Sequence, residues 1–280
     1  MPIFTGVKQT MDNILPIIAE YRSLNLHGII GYDKFNEYAI VHHSSAIEGS
    51  TLTENETRLL LDEGITPKGK PLEHSLMVKD HYAALQFILS QAKQGQSITP
   101  TFIQQINARV MKGTGAIYNT AFGEIDATKG EFRKGNVSAG GSYFVGYDKV
   151  VAYTTKLATS LNEKIKTVST ENEKIEISFA AHFDLVGIHP FYDGNGRTSR
   201  LIVNYIQALF NLPLAIVFKE DKNDYFTALQ DARKQESLQP FYTFMYSQYE
   251  KYLTTEISIY KQSLQKKDNP KKSTGFSIFF

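Results

Sequence analysis

The chain has 280 residues and a formal net charge of +1 at pH 7, from 30 lysine and arginine residues against 29 aspartate and glutamate residues. This balance argues against nucleic-acid binding through an overall basic field. The absence of cysteine excludes disulfides, cysteine-bound zinc, iron–sulfur clusters and a cysteine nucleophile.

No segment of the sequence has the features of a leader or of a membrane span. Residues 1–13 lack an apolar block, so no signal peptide is predicted. The most apolar run, residues 201–218, is interrupted by three amide side chains and is typical of a buried helix. We therefore expect a cytoplasmic protein that binds neither a membrane nor a nucleic acid.

Most of the chain shows apolar residues at helical spacing, with capping residues between the periodic segments. Gly49 is placed to end one helix, and Thr170 with Glu173 forms a capping box at the start of another. Helices are predicted over about residues 34–47, 53–64, 73–93, 99–113, 149–166, 175–188, 194–210, 225–233, 238–250 and 252–265.

One segment departs from this pattern. Residues 129–146 contain five glycines, and residues 135–145 are typical of two short strands around a Gly140-Gly141 turn. A lone hairpin is only marginally stable, so its presence in a helical protein favours a functional role. The predicted fold class is mainly α, a helical bundle with a small β-hairpin.

The most informative segment, residues 189–200, reads His-Pro-Phe-Tyr-Asp-Gly-Asn-Gly-Arg-Thr-Ser-Arg. It joins two apolar helices, and proline after His189 disfavours helical geometry there. The following helix therefore begins in a glycine-rich turn. Its free N–H groups and positive dipole end predict an anion site, which Gly194 and Gly196 leave open to close approach.

The charged side chains around this turn are the types that a polyphosphate and its metal ion require. Arg197 and Arg200 share a helix face and supply directed donors. Asp193 is a hard carboxylate suited to Mg²⁺, and His189 is a candidate general base. Each residue also has a structural explanation: a satisfied histidine, a helix cap or surface arginines. The joint arrangement favours a site.

Residues 189–200 match the Fic family signature, HPFx(D/E)GNGRxxR, at each defined position, and the resemblance extends over about residues 32–249. Fic proteins are mainly helical and most often catalyse AMPylation, the transfer of AMP from ATP to a protein tyrosine, threonine or serine. The resemblance implies that His189 is the base and Asp193 the Mg²⁺ ligand. It assigns phosphate binding to Gly194, Asn195, Gly196, Arg197 and Arg200.

The resemblance also bears on the reaction type. In the Doc branch of the family, which acts as a kinase, lysine usually stands at the position of Gly196. Glycine at this position leaves the anion site open and favours nucleotidyl transfer over phosphate transfer.

In Fic proteins a β-hairpin flap pairs with an extended segment of the target protein. Residues 130–133, Gly-Glu-Phe-Arg, resemble the start of this flap. The resemblance places four residues along the groove for nucleotide and target: Val137, Ser138, Ala139 and Gly140.

Tyr225 and Phe226 correspond to an aromatic pair that lines the adenine pocket of the family. Packing in the helical core explains these two residues about equally well. Arg233 stands where family members often carry asparagine or arginine, and its contact stays open.

A second match to the family lies upstream. Ser44, Glu48 and Gly49 fit the inhibitory motif (S/T)xxxE(G/N), with the first two on one helix face. The resemblance implies that Glu48 pairs with Arg200 and holds ATP in an unproductive pose. Without the downstream motif, an ordinary surface helix would be the better explanation. Some family members also use this glutamate to remove AMP.

We therefore predict a Fic-type helical bundle that acts as an autoinhibited protein adenylyltransferase. Its regions are an N-terminal helical region at 1–95 with the inhibitory helix at about 34–49, a Fic catalytic core at 96–250, and a C-terminal helix and tail at 251–280. ATP and Mg²⁺ are the implied cofactors. The expected partner is a target protein with an exposed hydroxyl side chain, which could be a copy of the protein itself. A homodimer is expected at the level of the family. A deAMPylase, a phosphotransferase and a non-catalytic nucleotide-sensing module remain as alternatives.

Overall fold

A computed structural model describes residues 3–29, 31–139 and 141–268. Within those residues the chain is mainly α-helical, with ten helices and two short antiparallel strand pairs. The helices are α1 (Ile3–Ser23), α2 (Tyr32–Ile47), α3 (Glu54–Glu63), α4 (Leu72–Lys93), α5 (Pro100–Val110), α6 (Val150–Thr167), α7 (Glu171–Ile188), α8 (Asn195–Leu209), α9 (Lys222–Lys234) and α10 (Gln239–Asp268). The strands are β1 (Ile117–Thr120), β2 (Gly123–Asp126), β3 (Ser138–Ala139) and β4 (Ser142–Tyr143).

Local capping explains where several helices begin. Thr53 and Thr170 each accept a hydrogen bond from the backbone of a glutamate three residues on, and that glutamate bonds back to the threonine. Thr99 caps α5, which has proline at its first position. The predicted capping box at Thr170 is thus confirmed, as is the mainly helical fold.

Helix α8 lies at the centre of the bundle. It contacts α2, α4, α5 and α7, and it is buried almost all round, as expected of a helix surrounded by others. Its buried apolar residues include Leu201, Val203 and Ile206. The start of α8 therefore lies where several helices meet, which is where the sequence predicts the site.

The C-terminal prediction was wrong in one respect. Two helices, 238–250 and 252–265, were predicted, but one continuous helix, α10, spans Gln239–Asp268. No glycine or proline interrupts residues 241–268, and the buried Tyr252 and Leu253 carry the apolar face across the expected break. Position 251 therefore does not begin a separate helix, and residues 269–280 of the predicted tail lie outside the described residues.

Two elements were not predicted from the sequence. Helix α1, which contains Pro16, packs against α10. The pair β1–β2 forms an additional hairpin before the predicted one, with Thr120 opposite Gly123 at its turn. The predicted hairpin itself is present as β3–β4, with Ala139 opposite Ser142. No helix among the described residues has the length and hydropathy needed to cross a bilayer.

Candidate active site

The loop between α7 and α8 has a fixed and unusual backbone. His189 follows the last turn of α7 in the left-handed region, with φ 53° and ψ 60°, and its N–H donates to Leu185 at 3.0 Å. A non-glycine residue in this region is uncommon and is typical of functional sites. The side chain of Asn195 bonds both the N–H and the carbonyl of Phe191, at 3.0 and 2.9 Å, and closes the loop.

The middle of this loop is held from below by Asn107, a buried residue of α5. Its Nδ2 donates to the carbonyl of Asp193 and to Thr198 Oγ1, both at 3.1 Å. Gly194 lies against the Asn107 side chain and has a φ of 76°. A Cβ at position 194 would be 2.7 Å from Asn107 Nδ2. Glycine is therefore required at 194 by both conformation and space. Sequence reasoning missed Asn107, although a polar residue on the apolar face of α5 was a visible signal.

The start of α8 presents unpaired donors. Its first residue is Asn195, and the preceding Gly194 provides no side-chain cap for the first N–H groups. The helix dipole adds positive potential at this end. Backbone donors from residues 195–197 are thus available to an anion such as a phosphate.

Arg197 lies beneath the loop and not on the surface. It is buried, with Nη1 donating to the carbonyl of Val110 at 3.3 Å and Nη2 lying 3.8 Å from Asp193 Oδ1. Burial lowers the pKa of its guanidinium, and Glu48 and Asp193 act in the opposite direction. Its charge therefore supports the anion site from within the protein.

Arg200 is held by residues at the end of α2, the helix for which the resemblance predicts an inhibitory role. Its Nη2 donates to Glu48 Oε1 at 2.6 Å and to the carbonyl of Ser44 at 3.0 Å, and its Nε donates to Ser44 Oγ at 2.8 Å. Helix α2 ends at Ile47, just before Glu48 and Gly49. The ion pair that the resemblance implied is therefore present in the structure.

The charges of this pair stabilise each other. Burial raises the pKa of Glu48, but the guanidinium of Arg200, with Arg197 beyond it, outweighs that effect and holds the pKa below its ordinary value. Burial lowers the pKa of Arg200, which the Glu48 carboxylate more than offsets. Both groups are therefore ionised at neutral pH, with Arg200 engaged by the protein itself.

His189 has the protonation state that a base needs. Its ring stacks on Phe144 of the flap, with centroids 3.9 Å apart and planes at 16°. Burial is the main cause that lowers its pKa, to about 4; Arg133 and Arg233 lower it further, and the nearby Val186 backbone and the charge of Glu48 oppose them. The imidazole is therefore neutral near pH 7 and able to accept a proton.

The predicted flap residues differ in exposure. Val137 is half-buried, and Ser138 and Ala139 are exposed on β3. Gly140 lies outside the described residues. The exposed backbone of β3–β4 is a free edge at which an extended segment could pair.

The two predicted adenine-pocket residues lie in different surroundings. Tyr225 is 1% exposed, and its hydroxyl lies 2.8 Å from His182 Nε2 and 3.5 Å from Arg200 Nη1. Phe226 is 41% exposed, with Lys222 above its ring. This placement favours core packing for Tyr225 and leaves Phe226 as the member of the pair that a ligand can reach.

Asp193 is available to a metal ion. Its side chain is 55% exposed at the mouth of the site. The described residues contain no cluster of three or more histidine, cysteine or acidic side chains that could enclose a metal. Mg²⁺ usually takes one or two carboxylates and completes its shell with phosphate oxygens and water, so a single exposed aspartate beside an anion site fits it.

Comparison with known proteins agrees with this geometry. The Fic/DOC family model matches residues 97–207. Relatives named protein adenylyltransferase Fic from Drosophila erecta and Drosophila yakuba are 31% and 30% identical, over 73% of this chain and 39% of their own length. The chain thus spans well under half of these relatives.

Solved structures share the fold. Fic-1, residues 134–508, from C. elegans superposes with a TM-score of 0.75 at 26% identity, covering 92% of this chain and 73% of that one. A Fic domain containing signaling protein from Bacteroides thetaiotaomicron superposes with a TM-score of 0.74 at 24% identity, covering 92% and 97%. Together with the signature loop, these findings show that residues 97–207 of the chain form a Fic/DOC family domain.

Proposed function

We propose that this protein is an adenylyltransferase, which transfers AMP from ATP to a tyrosine, threonine or serine hydroxyl of a target protein and is restrained by Glu48. The observation that carries the proposal is the Glu48–Arg200 ion pair beside an uncapped helix N-terminus. In this proposal the Glu48 carboxylate occupies the position that a phosphate group takes once Arg200 is released. The activity named for the Drosophila relatives supports the proposal.

The reaction follows from the placement of the side chains. His189, neutral at pH 7, accepts the proton of the target hydroxyl. The hydroxyl oxygen forms a bond to the α-phosphorus of ATP, the bond from that phosphorus to the β-phosphate bridging oxygen breaks, and pyrophosphate leaves. The N–H groups at the start of α8 stabilise the negative charge that develops on the phosphate oxygens.

Asp193 is the residue that would hold Mg²⁺. Bound there, the ion would neutralise phosphate charge and favour departure of pyrophosphate. Arg197 supplies a buried positive charge beneath the same loop. Arg200 becomes available to the γ-phosphate only when Glu48 releases it.

Labelling with radioactive ATP tests the proposal, with the protein itself as the first acceptor. We expect weak incorporation from α-labelled ATP and none from γ-labelled ATP. Glu48→Gly should raise incorporation, and Glu48→Gly with His189→Ala should abolish it. Incorporation from γ-labelled ATP would instead indicate phosphate transfer, and ATP binding without incorporation in Glu48→Gly would indicate a sensing module.

Removal of AMP is a second candidate activity, favoured by one observation. The ionised Glu48 carboxylate lies at the same site as the phosphate-binding loop and could activate a water molecule there. Protein labelled by the Glu48→Gly variant should then lose its AMP when wild-type protein is added, but not when Glu48→Gly alone is present.

A further inference from the structure

Arg133 is a buried cation whose partners are backbone carbonyls. It lies at the start of the flap, two residues before Gly135, and only 2% of it is exposed. Its Nε donates to the carbonyl of His189 at 2.8 Å, its Nη1 to that of Gly135 at 2.8 Å, and its Nη2 to that of Val145 at 2.5 Å. A longer contact of 3.4 Å reaches the carbonyl of Ile188.

These partners belong to two parts of the site. Gly135 and Val145 flank β3–β4, so one guanidinium fixes both ends of the flap. Ile188 and His189 end α7, where helix carbonyls lack partners within the helix and favour a cation. The backbone N–H of Arg133 also donates to Pro190 at 3.0 Å.

The flap also contacts the imidazole of His189 directly, through Phe144. Phe144, next to Val145, lies against that ring with centroids 3.9 Å apart. The guanidinium of Arg233, on α9, lies over the ring of Phe144, 5.4 Å from its centroid. By holding the Val145 carbonyl, Arg133 also keeps Phe144 on the ring of His189.

We propose that Arg133 is a positioning residue that joins the flap and the catalytic imidazole of His189 into one unit. The inference rests on the proposed function, because it assumes that His189 is the base and that the flap aligns the target. A planar fork with five donors can hold several carbonyls at once, whereas a lysine ammonium has the charge without that geometry.

The charges around His189 give a second, independent effect. Arg133 and Arg233 disfavour the protonated imidazole, and Glu48 favours it, while burial has the largest influence. Removal of the Arg133 charge should therefore raise the pKa of His189. Arg133→Lys should leave that pKa nearly unchanged, because it keeps the charge.

The experiment compares Arg133→Met and Arg133→Lys in full-length Glu48→Gly protein. Arg109→Met is the matched control, because Arg109 bonds the carbonyl of Gln105 in its own helix and stacks on Phe87. Three measurements are made on each: amide hydrogen exchange along the chain, NMR titration of labelled histidines, and labelling kinetics. The His189 resonance is assigned with His189→Ala.

We expect amide exchange in residues 135–145 to rise about tenfold or more in both Arg133 variants, with exchange in α8 unchanged. The maximal labelling rate should fall about tenfold while the KM for ATP stays within about threefold. Only Arg133→Met should raise the pKa of His189. Arg109→Met should show none of these changes.

Unchanged exchange in the flap would overturn the proposal. So would a uniform rise in exchange across the whole chain, which would indicate a merely structural role. If Arg133→Met does not fold, amide hydrogen exchange of residues 135–145 in Arg133→Lys is sufficient to test the proposal. Exchange and titration need no turnover, so they decide the role of Arg133 even if the protein shows no AMP transfer.

Discussion

Arg200 donates from Nη2 to Glu48 Oε1 at 2.6 Å, joining two residues that are 152 positions apart in the chain. Glu48 reaches this position from the end of α2, and its side chain is 29% exposed against 7% for Arg200. The Glu48 side chain is therefore partly exposed, whereas the Arg200 side chain is almost fully buried. In the proposed mechanism an incoming phosphate approaches the pair from the Glu48 side and competes for Arg200 without unfolding α8.

Ser44 should add to the restraint that we propose Glu48 exerts on Arg200. Ser44→Ala removes the hydroxyl that accepts from Arg200 Nε at 2.8 Å but keeps the backbone carbonyl contact. Loss of one such bond should increase the fraction of molecules with Arg200 released about fivefold. Self-labelling should rise by the same factor, which is a smaller rise than in Glu48→Gly. Self-labelling from α-labelled ATP measures the effect.

Ser45→Ala is the control for this prediction. Ser45 is the buried neighbour of Ser44, and its hydroxyl has no hydrogen-bond partner among the described residues. Its labelling should match the wild-type rate. Equal rates in both serine variants would show that Ser44 does not restrain Arg200.

Gly196 should be coupled energetically to Glu48. A methyl group at position 196 would overlap Glu48 Oε1 and lie 3.2 Å from Arg200 Nη1. Gly196→Ala should therefore lower the free energy of unfolding by about 1–3 kcal/mol in the wild-type background. In Glu48→Gly the obstruction is gone, so the loss should nearly vanish. Urea denaturation of the four proteins gives the coupling energy.

Gly187→Ala is the control for this double-mutant cycle. Gly187 lies within α7, and a methyl group at this position would extend into open space, so alanine should be neutral or stabilise the helix by about 0.5–1 kcal/mol. An equal loss for Gly196→Ala in both backgrounds would mean that the obstruction comes from the helix itself and not from Glu48.

Tyr225 and Phe226 should respond differently to substitution. Tyr225→Phe leaves the buried His182 Nε2 without its partner, which should cost about 1–3 kcal/mol of stability while the KM for ATP stays unchanged. Phe226→Ala should raise that KM severalfold at little cost in stability, because the side chain is half in solvent. Thermal unfolding and labelling kinetics measure the two effects.

Phe35→Ala is a matched control, since Phe35 is also 41% exposed but lies near the start of α2, far along the helix from Glu48. It should change neither stability nor KM by much. A raised KM for ATP in Tyr225→Phe, with unchanged stability, would instead show that Tyr225 contributes to the adenine pocket.

The sequence was sufficient for features that depend on local patterns. Capping at Thr170, the turn at residues 189–194 and the β3–β4 hairpin each follow from a few adjacent residues whose conformational preferences agree. The helix face shared by Ser44 and Glu48 follows from spacing alone. The family resemblance then supplied the partner, Arg200, which no local pattern could identify.

The features that were missed depend on contacts between distant residues. Arg133 meets the carbonyl of His189 across 56 positions, and Asn107 meets Asp193 across 86. A basic residue before a hairpin and an asparagine in a helix have many ordinary explanations. Their roles become visible only when the fold brings them to one loop. Tyr225 is similar, because its burial depends on the packing of α9 against α10.

Asp193 should affect metal dependence without affecting stability. Asp193→Asn keeps an oxygen that can accept from the N–H of Gly194 but removes the charge that Mg²⁺ needs. In Glu48→Gly protein this change should raise the Mg²⁺ concentration for half-maximal labelling about tenfold or more. The unfolding midpoint should stay the same. Asp148→Asn, at an exposed aspartate before α6, is the control, and an unchanged Mg²⁺ requirement would exclude Asp193 as the ligand.

The buried histidines should lower the free energy of unfolding as the pH drops below about 6.5, the ordinary pKa of histidine. Burial is the main cause that lowers the pKa of three histidines, to about 4 for His42 and His189 and about 3 for His182, and it also lowers that of His43. In the unfolded chain these rings take up protons first. The unfolded state therefore gains protons as the pH falls from about 6.5 towards 4, which favours it. Above pH 6.5 both states are neutral at these positions and stability is unaffected by them.

His43→Gln isolates one contribution to this slope. His43 lies on α2 beside Phe218 and Glu220, and glutamine keeps a side-chain oxygen that can accept from the N–H of Lys219, as the imidazole does. Each such histidine steepens the fall in unfolding free energy by up to about 1.4 kcal/mol per pH unit. Urea denaturation at pH 7.5, 6.5 and 5.5 should therefore give a shallower slope for His43→Gln than for wild type. The depressed pKa of Glu48 does not interfere, because a carboxylate with a lowered pKa loses its contribution only below this range. Identical slopes would mean that His43 takes up its proton in the folded state as readily as in the unfolded one.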